Sequence, residues 1–304
     1  NTDTDSEIAF GIENAALPLS ELHQRVAQAE KDLNIENLSG RSIFELSGGE
    51  KQKIAFASVY AMNPNVYLLD EPSSNLDMDA IEDLRRTLEL LKKQGKTILI
   101  AEHRIYYLRE LVDRIAYMEN GAISAVFSPS QFLSIPEEQR HSMGLRALDL
   151  SKVQPRAFAE NSQKPILEVR NLSLFYKKKP VLDDLNLSAA PGEIIGIIGH
   201  NGAGKSTFSR TLCGLHTNCT GQILWDGKEL NAKSRLKRSY MVMQDVNHQL
   251  FTESVLDEIC LSMRTEDRAK AEAVLAEMDL LPYRERHPMG LSGGQKQRVA
   301  VASA

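Results

Sequence analysis

The sequence predicts a mixed α/β fold built around a parallel sheet, present as two partial copies in tandem. A glycine-rich phosphate loop lies between a short apolar run and a helical segment. Other apolar runs end in acidic or polar residues and alternate with amphipathic helical segments. One stretch of thirteen residues also occurs twice. Strands that alternate with helices are typical of a parallel sheet covered by helices, and a repeated stretch indicates a repeated unit.

Length and composition limit the classes of protein that fit. The 304 residues are enough for two domains at about 150 residues each. A net charge of −5 leads us to expect no nucleic-acid partner, and three cysteines do not make a disulfide framework. No apolar run reaches the roughly 18 residues that a membrane helix needs. We therefore expect no direct membrane insertion, and any membrane role to depend on a partner protein.

The repeated stretch starts with Leu-Ser-Gly-Gly in both copies. LSGGEKQKIAFAS runs from Leu46 and LSGGQKQRVAVAS from Leu291. A weaker pair, SEIAF from Ser6 and DEICL from Asp257, precedes them. The phosphate loop lies far upstream of the second copy, and no such loop precedes the first. We therefore expect an internal fragment of a longer tandem protein; the alternative is a natural chain that begins and ends within a unit.

The first copy predicts helices and strands in alternation. Asn63-Pro64 ends a helix, and Asn120-Gly121 is a hairpin turn. The predicted elements are a helix over Leu22–Leu33, a helix over Glu50–Met62, a strand over Val66–Asp70, a turn over Ser74–Asp77, an amphipathic helix over Asp79–Lys93, a strand over Lys96–Ala101 and a hairpin over Asp113–Phe127. Residues 128–164 are rich in Pro, Ser, Gln and charge, which predicts a linker between domains at 1–127 and 165–304.

The second copy predicts more strands before its repeated stretch. Lys177–Pro180 is interpreted as a solvated basic turn. The predicted strands are Ile166–Arg170, Leu174–Tyr176, Val181–Leu187, Glu193–Ile198, Gln222–Asp226 and Tyr240–Gln244, and the predicted helices are Thr207–Leu215 and Glu266–Met278.

The phosphate loop is the segment GHNGAGKS from Gly199 to Ser206, which fits the pattern G-x-x-x-x-G-K-[ST]. Its glycines let backbone N–H groups point at phosphate oxygens, in front of the positive end of a helix dipole. We expect Lys205 to reach the β and γ phosphates and the Ser206 hydroxyl to bind Mg²⁺. The alternative is a glycine-rich turn without special function.

Acidic residues and a histidine follow two predicted strands. Asp70 and Glu71 end the first strand, and His103 follows the second. Ligands of open α/β sheets bind at this carboxyl edge. ATP hydrolysis needs a metal and a base, so we expect Asp70 to hold the Mg²⁺ shell, Glu71 to orient and deprotonate water, and His103 to contact the γ-phosphate. The alternatives are a helix cap for the acids and an ordinary surface or core histidine.

In this order and spacing, the motifs resemble those of the nucleotide-binding subunits of ABC transporters. LSGGE and LSGGQ resemble the family signature, VYLLDE the Walker B strand and SNLD the D-loop. His103 resembles the switch histidine, Gln244 the Q-loop glutamine and Tyr176 the aromatic that stacks on adenine; a packed aromatic is the alternative for Tyr176. The resemblance implies P-loop NTPase domains of the ABC ATPase type, with a parallel-sheet core, an antiparallel β subdomain and a helical signature subdomain.

The resemblance also implies the cofactors ATP and Mg²⁺ and their sites. Catalytic roles fall to Glu71, His103 and Asp70, and metal binding to Ser206, Gln244 and Asp70. The residues implied in nucleotide binding are Tyr176, Gly199, Asn201, Gly202, Ala203, Gly204, Lys205, Ser206, Thr207, Gln244, Ser47, Gly48, Gly49, Ser292, Gly293 and Gly294.

Family members hold each ATP between the phosphate loop of one unit and the signature of the other. The resemblance therefore implies that the Gly199 loop faces Leu46–Glu50, and that this chain holds half of each of two sites. We expect weak nucleotide binding and no appreciable turnover from the chain by itself. The alternative is that residues 165–304 and 46–127 dock as one permuted domain.

The segments QDVNHQLFTESVLDEI and SEIAFGIEN resemble the ATPases of energy-coupling-factor transporters, which import vitamins and transition-metal ions. The expected function is that of an ATPase that powers such an importer. Its expected partners are transmembrane subunits and a second ABC unit in the same chain, on the cytoplasmic face of a bacterial membrane. The alternatives are a soluble tandem ABC protein that acts on ribosomes and a truncated, non-hydrolysing remnant.

Overall fold

A computed structural model describes residues 2–13, 17–74, 76–149, 151, 163–176, 179–263 and 265–304. The chain divides into two compact units. The first comprises Asn1–Ala159 together with Gly199–Gly202, and the second comprises Glu160–Ile198 and Ala203–Ala304. Among the described helices, none combines the length and the apolar character needed to cross a membrane.

The first unit alternates helices with short strands, as the sequence predicts. Its elements are α1 (Thr4–Glu13), α2 (Leu19–Asp32), α3 (Gly48–Ala61), β1 (Val66–Asp70), α4 (Met78–Lys93), β2 (Thr97–Ala101), β3 (Ile115–Glu119), β4 (Ala122–Phe127), α5 (Pro129–Leu133) and α6 (Glu137–Ser142). Helices α1, α2 and α3 enclose an apolar core that includes Ile8, Ile12, Ala29 and Ala57.

Strands β1 and β2 pair in parallel, from Val66 opposite Thr97 to Asp70 opposite Ala101. Helix α4 buries Ile81 and Leu88, which belong to the same apolar cluster as Tyr107 and Leu108. This cluster includes residues from both strands, so it fixes the strand ends that carry the predicted catalytic residues.

Strands β3 and β4 form the predicted hairpin. Asn120 and Gly121 both have positive φ, at 50° and 79°. Two consecutive positive φ angles are what a type I′ turn needs, and Asn-Gly supplies them with little strain.

The first part of the predicted linker, after β4, is folded. Ser128 and Gln131 form a capping box at the start of α5. Phe132, Ile135 and Leu148 are then buried in one apolar cluster, with Phe127 packed against it. The few apolar side chains of this otherwise polar segment form this small core. Of the remainder of the predicted linker, residues 150 and 152–162 lie outside the described residues.

The second unit combines an antiparallel sheet with helices. Its elements are β5 (Leu167–Tyr176), β6 (Lys179–Ala189), α7 (Lys205–Cys213), β7 (Cys219–Trp225), β8 (Lys228–Glu229), α8 (Ala232–Leu236), α9 (Val255–Ser262), α10 (Arg268–Glu277) and α11 (Gly293–Ala302). The strand order is β6-β5-β7-β8, and every pair is antiparallel. One core lies between this sheet and Phe208 of α7, and another among α9, α10 and α11.

Two predicted strands of this unit are absent from the described residues. Glu193–Ile198 does not form a strand, and Ile194 and Ile198 are 95% and 93% exposed. Tyr240–Gln244 does not form a strand either. A strand forms only where a neighbour completes its hydrogen-bond ladder, and no described strand pairs with these segments.

Two other predicted strands, Ile166–Arg170 and Leu174–Tyr176, are parts of one longer strand, β5. Lys177 and Lys178 of the predicted basic turn lie outside the described residues.

Candidate functional site

The first LSGG sequence forms the N-terminus of α3. The Ser47 hydroxyl accepts a hydrogen bond from the Glu50 N–H at 3.3 Å, and the Glu50 carboxylate accepts one from the Ser47 N–H at 2.8 Å. This reciprocal pair is a capping box. The Ser47 N–H is the main cause of the lowered pKa of Glu50, with Arg41 contributing at 3.1 Å. The motif therefore defines where the helix begins.

The second LSGG sequence repeats this geometry at the N-terminus of α11. Ser292 caps the helix by accepting from the Gln295 N–H at 3.4 Å, and Gln295 accepts from the Ser292 N–H at 2.9 Å. A Cβ atom added at any of three glycines of the two motifs would meet nothing within 4 Å; these are Gly48, Gly293 and Gly294. Open space in front of the positive end of a helix dipole suits an anion.

Helix α3 is joined to the residues that follow β1 and to α4. The Gln52 side chain donates to the Pro72 carbonyl at 2.5 Å. Lys53 binds Asp83 of α4, with 2.6 Å between the ammonium nitrogen and Oδ2. These contacts hold the first signature next to the turn that follows Glu71.

The predicted acids and histidine come together at the carboxyl ends of β1 and β2. The Glu71 N–H donates to the Ala101 carbonyl at 2.9 Å and so extends the parallel pairing by one bond. Glu71 has a φ of 42°, and its carbonyl accepts from the Ser74 N–H at 3.0 Å. Nε2 of His103 lies 3.3 Å from Oε1 of Glu71, and both side chains are exposed. Asp70 lies opposite Ala101 and is also exposed.

The phosphate loop leads directly into α7. Gly202 and Gly204 have positive φ, at 82° and 90°. A Cβ at Gly202 would meet nothing within 4 Å, whereas one at Gly204 would lie 2.9 Å from the Val181 carbonyl oxygen of β6. Gly204 is therefore required by the close approach of β6, and Gly202 leaves room beside the loop. Lys205, Ser206 and Thr207 form the first turn of the helix.

Tyr176 and Gln244 belong to the second unit. Tyr176 is the last residue of β5, and 67% of it is exposed, which contradicts the alternative of a packed aromatic. Gln244 is exposed in an irregular segment, so its prediction as the end of a strand is wrong.

The site residues thus form two sets. The first unit carries the first signature with Asp70, Glu71 and His103; the second carries Tyr176, Gln244, the second signature and the phosphate loop from Ala203 onward. Residues Gly199–Gly202 group with the first unit.

Sequence reasoning gave no role to Glu102 and Arg104, which flank His103. Burial by itself would raise the pKa of Glu102, but hydrogen bonds from the Arg104 N–H, from Ser73, from the side chain of Tyr107 and from the His103 N–H together lower it below its usual range. The signal that could have identified these two residues is their position at the end of a strand, next to His103.

Comparison with known proteins places these features in a family. A family model described as ABC transporter matches residues 3–74 and 182–304. A putative ABC transporter ATP-binding protein of Treponema denticola is 49% identical over 99% of this chain and 63% of its own length. Another, of Methanosarcina acetivorans, is 32% identical over 98% of this chain and 58% of its own length. The chain thus spans about three fifths of the length of these relatives.

The fold is also similar to a solved structure. An archaeal ribosome recycling factor, solved in complex with the archaeal ribosomal stalk protein aP1, superposes with a TM-score of 0.59 at 25% identity. The match covers 99% of this chain and 56% of the other.

Proposed function

The chain belongs to the ABC transporter family of ATP-binding proteins, and from that premise we propose that it forms the ATP-binding and ATP-hydrolysing part of a longer tandem protein that powers a membrane importer. The observation that carries this proposal is the 3.3 Å approach of His103 to Glu71, beside Asp70, at the ends of two parallel strands. This edge of an α/β sheet is where ligands bind.

The residues present fit ATP and Mg²⁺. Lys205–Thr207 start α7, the open space at Gly202 leaves room for phosphate, and Lys205 supplies a cation. Ser206 and Gln244 of the second unit, and Asp70 of the first, are the proposed metal ligands of two different ATP sites. When bound, Mg²⁺ neutralises charge on the phosphoryl oxygens.

The remaining side chains have distinct proposed roles. Glu71 orients the attacking water and accepts its proton, because a carboxylate at this edge is exposed to solvent and ligand. His103 donates to an oxygen of the γ-phosphate. The exposed N-termini of α3 and α11, each with a serine cap and two glycines, provide N–H groups for a phosphate.

The transported substrate class rests on sequence. The segments from Gln244 to Ile259 and from Ser6 to Asn14 resemble energy-coupling-factor ATPases, so we propose import of a vitamin or a metal ion. Transmembrane subunits are the proposed partners, at the cytoplasmic face of a bacterial membrane. We also propose two tandem domains, with the first extended through the folded segment that contains Leu148.

Measuring the ATPase activity of the full-length protein tests this function. Lys205→Ala should abolish ATP binding and turnover, whereas Lys228→Ala, at an exposed strand residue of the same unit, should leave both unchanged. The wild-type protein should fractionate with membranes. Turnover that survives Lys205→Ala would contradict the proposed site, and sedimentation with ribosomes in place of membranes would favour the soluble alternative.

A further inference from the structure

Glu102 joins three segments of the first unit through hydrogen bonds. Its Oε1 accepts from the backbone N–H groups of His103 and Arg104, at 2.8 and 2.9 Å. Its Oε2 accepts from the Ser73 N–H at 3.3 Å and from the Tyr107 hydroxyl at 2.9 Å. A single half-buried carboxylate thus connects the loop of His103 to the turn that follows Glu71.

Arg104 also connects the His103 loop to this turn, but as a hydrogen-bond donor, whereas Glu102 is an acceptor. Its guanidinium donates to the carbonyl oxygens of Ser73 and Leu76, at 3.1 and 3.4 Å, and reaches that of Ser74 at 3.5 Å. The planar, multidentate guanidinium can bind several carbonyls of one turn together, which the ammonium group of a lysine cannot match. The two residues that flank His103 therefore both hold the turn that contains Ser73 and Ser74.

The side chains of His103 and Glu71 need such support. They are 67% and 51% exposed, so packing does not fix them. Their separation depends instead on the backbones of two segments that lie 32 positions apart in the sequence. A functional pair is held to about 0.5 Å only when neighbouring side chains and hydrogen bonds fix its supports.

We propose that Glu102 and Arg104 are positioning residues, which set the distance between His103 and Glu71 by fastening the His103 loop to the turn that contains Ser73 and Ser74. The inference rests on the proposed catalytic roles of Glu71 and His103. Neither Glu102 nor Arg104 belongs to the set assigned to ATP, so their replacement should slow turnover without weakening ATP binding.

The test uses the full-length protein and the variants Glu102→Gln and Arg104→Lys. Glu102→Gln keeps the shape but replaces one acceptor oxygen by a donor, and Arg104→Lys keeps the charge but not the planar fork. We expect kcat to fall about tenfold or more, with the dissociation constant of ATP within about twofold. The matched control is Glu82→Gln, which removes a carboxylate paired with Arg85 on α4 and should leave kcat unchanged.

A double-mutant cycle separates positioning from general stabilisation. In a His103→Ala background, Glu102→Gln should lower kcat by less than about twofold, because the residue that it positions is gone. An equal loss in both backgrounds, or an unchanged kcat in Glu102→Gln alone, would overturn the proposal.

Hydrogen exchange of backbone amides tests the connection between the His103 loop and the turn, and it does not require ATP turnover. In Glu102→Ala, which removes both carboxylate oxygens, the peptides covering residues 71–77 and 102–107 should both exchange faster, because three backbone N–H groups lose an acceptor; in Glu82→Ala neither should change. Unchanged exchange in either peptide would overturn the connection, and this readout decides the matter if His103→Ala has no measurable activity. If the wild-type protein itself hydrolyses no ATP, the proposed function fails, whereas the exchange result still tests the connection.

Discussion

The imidazole of His103 lies 3.3 Å from the carboxylate of Glu71, although the two residues are far apart in the sequence. The parallel pairing of β1 with β2 places Asp70 opposite Ala101, and Glu71 continues that pairing through its N–H. The residues after both strands therefore emerge at one edge. A base and a hydrogen-bond donor within reach of one another are what a water-activating site needs.

The proposed role of Glu71 as the general base predicts the effect of replacing it. Glu71→Gln should reduce ATP turnover of the full-length protein at least about a hundredfold, since general-base catalysis contributes about 10²- to 10⁴-fold. ATP binding should persist, because the amide has the shape of the carboxylate. Steady-state turnover and equilibrium ATP binding, measured on the same preparation, check both parts. Glu89→Gln, which removes a partner of Arg85 on α4, is the control that should leave turnover intact.

The close approach of β6 to Gly204 predicts that alanine substitutions at two glycines of the second unit differ in their effect on stability. Both Gly204 and Gly227 have positive φ, so alanine is strained at each. At Gly204 the added Cβ would also lie 2.9 Å from the Val181 carbonyl oxygen, whereas at Gly227 it would meet nothing within 4 Å.

Gly204→Ala should therefore destabilise the protein more than Gly227→Ala, which should cost about 1 kcal/mol. Urea unfolding measures both, and ATP binding should weaken only in Gly204→Ala. Equal stability of the two variants would show that β6 moves aside for the methyl group.

The serine caps of α3 and α11 predict that the loss of stability depends on which residue replaces the serine. Ser47→Ala and Ser292→Ala should each lower the free energy of unfolding by about 0.5 to 2 kcal/mol, because the cap acceptor is lost. Ser47→Gly should cost only a few tenths of a kcal/mol, since glycine is tolerated at an N-cap. Chemical denaturation of the three variants gives the comparison. A glycine variant as unstable as the alanine variant would mean that the lost hydroxyl acceptor, which neither variant has, accounts for the whole effect and that the tolerance of glycine at an N-cap does not apply here.

Local signals predicted the elements of the first unit well. The predicted helix over Glu50–Met62, the hairpin turn at Asn120-Gly121 and the strand Val66–Asp70 all depend on residues close together in the sequence. The structure contains each of them, although the helix begins earlier than predicted, at Gly48. The meeting of Glu71 with His103 followed from two such strands, because parallel pairing places their ends at one edge.

The failures occur where local signals are not sufficient. Glu193–Ile198 has the apolar character of a buried strand, but Ile194 and Ile198 are almost fully exposed. A strand depends on distant partners that a local pattern does not specify. The positioning contacts of Glu102 and Arg104 were missed for a related reason, since they depend on a turn about thirty residues away.

Glu30 predicts a pH dependence of stability. It is buried in α2, and its Oε1 has no hydrogen-bond partner among the described residues. Burial, followed by the nearby negative charge of Asp5, raises its pKa. The folded protein therefore binds this proton more tightly than the unfolded chain does. The resulting stabilisation is fully present below the ordinary pKa of a glutamate and is lost as the pH rises through the raised value.

Glu30→Gln should consequently raise the unfolding temperature at neutral pH, because the buried group then carries no charge. The advantage should shrink as the pH falls and disappear once the wild-type carboxyl is protonated. Thermal unfolding from pH 4 to 8 tests this, with Glu110→Gln as the control, since the Glu110 side chain is 77% exposed. A stabilisation by Glu30→Gln that did not depend on pH would have to come from a new hydrogen bond of the amide and not from the removal of a buried charge.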